Sequence, residues 1–90
     1  MKTETSIKEK LADFAHKSWS GWMAYLFSKS ILNKDGSVTI PKDLVTRWKR
    51  QLDTDYNNLS EQEKDSDRKE AEGMIAILAL ALDKKIKSKI

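Results

Sequence analysis

Asp13 and His16 stand three residues apart on one predicted helix face, with Glu9 one turn further back. A carboxylate beside an imidazole can orient or charge it, the first requirement of acid–base or nucleophilic chemistry. The rest of such a set is missing. Ser18 and Ser20 lie on the same helix, outside the strained turn that exposes a catalytic serine, and the chain has no cysteine. Asp65 and Asp67 lack the glycine and the ligand spacing of a calcium loop. Three scattered glycines cannot build a phosphate loop, and a single histidine without thiols cannot build a multi-ligand metal site. The residues point away from an enzyme, and no metal or cofactor is expected.

The aromatic and cationic residues are more informative. Trp19, Trp22, Tyr25 and Phe27 cluster in one segment, Trp48 lies in a second, and Tyr56 precedes a third. As structure, these rings can supply the core of a small bundle, since each buries roughly 150–250 Å². Taken with Arg47, Arg50, Lys64 and Arg68 they offer a second use. Flat apolar faces beside fixed guanidinium groups suit a nucleotide: rings stack and phosphates pair with forked donors. The candidate ligand-binding residues are His16, Trp19, Trp22, Arg47, Tyr56, Lys64, Asp67 and Arg68. Trp19, Trp22 or Tyr56 would stack a base. Arg47, Lys64 and Arg68 would meet phosphates, and His16 and Asp67 would orient the ligand.

The elements that position these residues follow from periodicity. Ser6-Ile7-Lys8-Glu9 reads as a capping box. Ile7, Leu11, Phe14, Ala15, Ser18, Trp22 and Leu26 continue at helical spacing, so a first helix spans about 6–30. Asn33-Lys34-Asp35-Gly36 is a turn signal, and the stretch 33–40 is expected as extended loop without a sheet. Pro41 suits a helix start, and Leu44, Val45, Trp48 and Leu52 give a second helix over 41–52 an apolar face. Ser60-Glu61-Gln62-Glu63 is a second capping box. The acids after it and the lysines at 84–89 complement the dipole of a third helix over 61–87. Ala71, Met74, Ile75, Leu78 and Leu82 are its expected core seam. Ile77, Leu78, Leu80 and Leu82 leave so much hydrocarbon that they are the candidate self-association surface. The fold class is all-α, a compact bundle of three main helices.

Ninety residues make one domain, spanning 1–90. The net charge of +3 is weak and interleaved. It lacks the basic stripe of a nucleic-acid binder, although Lys84, Lys85, Lys87 and Lys89 keep a nucleic-acid adaptor open as a third reading. The uncharged run Gly73–Leu82 is ten residues long, half of the roughly 20 that span a bilayer. With a polar start and no cysteine, the chain reads as soluble and cytoplasmic, with no membrane partner.

Two segments carry a resemblance. Leu11-Ala12, His16 and Trp19 follow an LA-x-x-x-H-x-x-W pattern, with Gly21-Trp22 behind it. Leu59, the serine-led cap, Glu63-Lys64 and Asp67-Arg68 follow in order. Together these blocks cover about a quarter of the chain, and they resemble the ryanodine-receptor (RyR) domain family in its small stand-alone phage and bacterial form. Between them, Ile40-Pro41 and Val45-Thr46-Arg47-Trp48-Lys49-Arg50-Gln51 depart from the receptor repeats and look like shorter phage-borne relatives. The resemblance implies a mainly helical domain without catalysis that binds adenine-nucleotide-like ligands. In a phage protein it implies capture of a host defence messenger in the host cytoplasm. The leading expectation is therefore a module for a small nucleotide-like ligand. A protein–protein or homo-oligomerisation module stands as the alternative.

Overall fold

The computed structural model describes the backbone of residues 2–88 and the side chains of residues 6–84. Three helices carry the chain: α1 (Lys2–Lys29), α2 (Lys42–Leu52) and α3 (Glu61–Ser88). A single 3-10 turn, Tyr56–Asn58, leads into α3. The all-α class and the three main helices agree with the sequence. The start of α1 does not. The helix already runs through Ser6, so Ser6–Glu9 is helix interior rather than a cap.

The start of α3 follows the expected local chemistry. The Ser60 N–H and hydroxyl donate to Glu63 Oε1 at 3.2 and 3.0 Å, and the Glu63 N–H donates to Ser60 Oγ at 3.2 Å. Two orphan donors of the first turn are thereby satisfied reciprocally. Pro41 sits at the cap of α2, so the helix begins one residue later than expected. Its carbonyl accepts the Leu44 and Val45 N–H groups at 3.1 and 3.0 Å.

The stretch 33–40 is a hairpin, which corrects the expectation of an open loop. Strand β1 (Ile31–Leu32) pairs antiparallel with β2 (Val38–Thr39), Ile31 opposite Thr39 and Leu32 opposite Val38. The partner is hard to see in the sequence because Ile31 and Leu32 continue the apolar character of α1. Side chains tie the loop. Asn33 Nδ2 donates to Ser37 Oγ and Thr39 Oγ1, both at 3.0 Å. Asp35 Oδ1 accepts the Ser37 hydroxyl at 2.6 Å and the Ser37 N–H at 2.9 Å. These two bonds, the hydroxyl's first, hold the Asp35 carboxyl below its ordinary range. The Gly36 N–H closes the turn onto the Asn33 carbonyl at 3.1 Å, and Gly36 then adopts φ 91°. That region penalises any Cβ, so Gly36→Ala is expected to cost roughly 1–2 kcal/mol. The loss would be read as a lower unfolding midpoint and faster amide exchange at Ser37.

α1 and α3 lie antiparallel. Ser18 Oγ donates to Glu70 Oε2 at 2.5 Å, the Phe14 ring lies against Gly73, and Lys10 meets Lys84 further along. There the Lys84 ammonium pushes that of Lys10 below its ordinary range, because two like charges, neither able to accept a hydrogen bond, repel. The covered face of α3 runs through Ser66, Glu70, Gly73, Ile77 and Ala81. This corrects the expected core seam. Ala71, Met74, Ile75, Leu78 and Leu82 all face outward, while Ile77 belongs to the packed side. The last third of α3 is apolar almost all round, so its periodicity cannot choose a face. Gly73 chooses it, because only there can a ring from α1 approach the helix axis.

The molecule is a slab of 59 × 35 × 17 Å. Its thickness is less than two helix diameters. Among the described residues Ala81 is the one hydrophobic side chain that is buried, and Glu63 the one charged residue.

Candidate functional site

α1 and α2 converge on three rings. Trp22 and Tyr25 meet edge to face at 6.5 Å and 88°, and Tyr25 meets Trp48 at 6.3 Å and 56°. Turns of α1 carry the first two, and the apolar face of α2 carries the third. The rings form one wall of an open groove of about 850 Å³, which Arg47, Arg50 and Glu63 also line. Gly21 contributes bare backbone to this groove, with no heavy atom within 4 Å of where a Cβ would stand. The space beside Gly21 is unoccupied by protein.

The polar side of the groove is ordered by Glu63. Its Oε2 accepts Arg50 Nη2 at 2.7 Å while its Oε1 serves the cap at Ser60. The Arg50 bond first, then the Ser60 N–H, hold the Glu63 carboxyl below its ordinary range despite its burial. Arg50 is thus fixed in direction. Arg47 has no ion-pair partner among the described residues, so its forked donors are available at the same groove.

A second groove of about 540 Å³ lies against the same rings. Trp22, Tyr25 and Trp48 line both grooves, and Leu52, Tyr56 and Asp67 are among the other residues of this one. Beside it is a knot of charge at the start of α3. Lys64 Nζ stands 5.7 Å from the Tyr56 ring centre and 3.6 Å from Glu61 Oε1. Arg68 Nη1 donates to Asp65 Oδ1 at 2.7 Å and to Glu61 Oε2 at 3.0 Å. The two carboxylates, Asp65 first, raise the Arg68 guanidinium above its ordinary range, and the Tyr56 hydroxyl adds to it. Arg68, then Lys64, lower the Glu61 carboxyl. An anion reaching Lys64 or Arg68 therefore has to displace carboxylates.

The candidate residues fall into four places. Trp22 and Arg47 share the larger groove, and Trp22, Tyr56 and Asp67 share the smaller one. Lys64 and Arg68 gather around Tyr56. His16 and Trp19 stand apart, stacked on each other at 5.9 Å and 24°, outside both grooves. Asp13 pairs with Lys17 at 2.9 Å. Of the self-association set, Leu78, Leu80 and Leu82 are exposed and Ile77 is half-covered. Tyr25, Trp48 and Glu63 line the larger groove but were not among the candidates. The aromatic cluster was a usable signal for the first two. Glu63 was hidden by its role as a cap.

No family model, curated protein or solved structure matches the chain. Among the described residues no helix is long and apolar enough to cross a membrane, and no group of three metal-ligating side chains is assembled. The side chains of Lys85, Lys87 and Lys89, part of the lysine-rich tail, lie outside the described residues.

Proposed function

We propose that this chain is a non-enzymatic binding module for a small nucleotide-like ligand, an RyR-like domain without a cofactor. One observation carries the reading: the rings of Trp22, Tyr25 and Trp48 share a groove with the uncommitted guanidinium of Arg47. A base stacks on an indole face while a phosphate takes two parallel donors from an arginine. The groove volume of about 850 Å³ is within the range of small-molecule sites. Tyr56, Lys64 and Arg68 form a second cationic-aromatic cluster for a further phosphate, exchanging Glu61 and Asp65 for the ligand. In a phage-borne copy, such a module would capture a host defence messenger.

Thermal unfolding against a panel of mono-, di- and cyclic nucleotides tests this. A ligand at about 100 times its Kd adds about 2.7 kcal/mol, which for a domain this small raises the midpoint by about 10 °C or more. Arg47→Ala and Trp22→Ala should abolish the rise. A panel in which no nucleotide moves the midpoint overturns the reading.

A second reading is favoured by the outward placement of Leu78, Leu80 and Leu82. On it, the C-terminal half of α3 joins copies of the chain into a homo-oligomer.

A further inference from the structure

The face of α3 that turns away from α1 carries Ala71, Met74, Ile75, Leu78 and Leu82. Their spacing of three or four residues puts them in one row along the helix. The row is uncovered: Met74 is 46% exposed, Ile75 62%, Leu78 43% and Leu82 60%. None of the five lines either groove. The whole chain exposes 7618 Å², roughly 2,200 Å² more than a folded monomer of its mass usually does. A standard interface takes about 800 Å² from each partner. The surplus is more than sufficient for a stable dimer, and a chain with so little buried hydrocarbon gains its missing core by forming one.

The charge along α3 selects the direction of pairing. Glu61–Glu72 contains six acids and three bases, a net of −3, and Asp83–Ile90 contains one acid and four lysines, a net of +3. Antiparallel helices set each acidic run beside the other copy's basic end and oppose the two helix dipoles. Parallel helices would set like charge against like. The antiparallel register also matches sizes, with Leu82 beside the partner's Ala71 and Leu78 beside the partner's Ile75.

We propose that two copies of this chain pair antiparallel through the row Ala71, Met74, Ile75, Leu78 and Leu82 of α3. The proposal rests on the self-association reading and adds to it the face, the direction and the register.

The natural absence of cysteine makes the test direct. The full chain should run as a dimer in light scattering, and Leu78→Glu should shift it to monomer. Under mild oxidation, A71C mixed with L82C should give a disulfide-linked dimer. Neither variant should cross-link alone, because equivalent positions then lie about 16 Å apart along the helix, beyond disulfide reach. A parent chain that stays monomeric at high concentration overturns self-association altogether. A dimer in which A71C and L82C each link to themselves leaves self-association standing and overturns the antiparallel register.

Discussion

Gly73→Ala should destabilise the protein by about 1–3 kcal/mol, the usual range for an overpacked contact. In an ordinary helix interior the same change stabilises by roughly 0.5–1 kcal/mol, because alanine loses less backbone entropy. The sign is reversed here by one neighbour. A Cβ on Gly73 would overlap the edge of the Phe14 ring, where α1 packs on α3. The ring has to swing toward solvent or the two helices have to part, and either movement gives up buried hydrocarbon that this thin molecule cannot replace. The prediction is sharpest as a cycle. Phe14→Ala alone should cost stability, and in that background Gly73→Ala should become stabilising. Chemical denaturation of the four proteins measures it. If Gly73→Ala behaves the same with and without the Phe14 ring, the contact does not govern helix approach.

The second large effect is centred on Glu63. It joins the cap of α3 to Arg50 of α2, so its loss should loosen two elements at once. Ser60→Ala removes cap bonds alone and should cost about 0.5–2 kcal/mol. Glu63→Ala should cost more than Ser60→Ala. Glu63→Gln should fall between the parent and Glu63→Ala, since glutamine keeps the reciprocal cap but not the ion pair. The dependence on pH follows from the same bonds. The Glu63 carboxyl titrates below its ordinary 4.5 in the folded chain. Its stabilising contribution is complete above that value and is lost as pH falls through the lower folded one. Glu61 and Asp35, also lowered, act in the same direction. The unfolding midpoint followed by circular dichroism from pH 7 to 3 should drop on the acid side. Glu63→Gln should flatten that drop, and an unchanged slope would remove Glu63 from the account.

What the sequence revealed was local. The cap at Ser60, the turn at Asn33–Gly36 and the extents of α2 and α3 each depend on a few adjacent residues, and those residues state their preferences openly. What it concealed depends on comparison between distant segments. Arg50 and Glu63 have no sequence relation that marks them as partners. The covered face of α3 could not be read from hydrophobicity, because Met74, Ile75, Leu78 and Leu82 make a better apolar row than the Glu70, Gly73, Ile77 and Ala81 that are actually covered. A glycine matched to a ring decided it, and glycine carries no hydrophobic signal. The candidate site was half legible for the same reason. Trp22, Tyr56 and Asp67 come together on the smaller groove, and Arg47 joins Trp22 on the larger. His16 and Trp19 sit on a neighbouring stripe of α1, where their chemistry is spent on each other.

The two grooves share Trp22, Tyr25 and Trp48. The same three rings therefore bear on both grooves. A tilt of any of these rings changes the shape of both grooves together. With two of the chain's three tryptophans among these rings, the protein's own fluorescence reports on that shared wall.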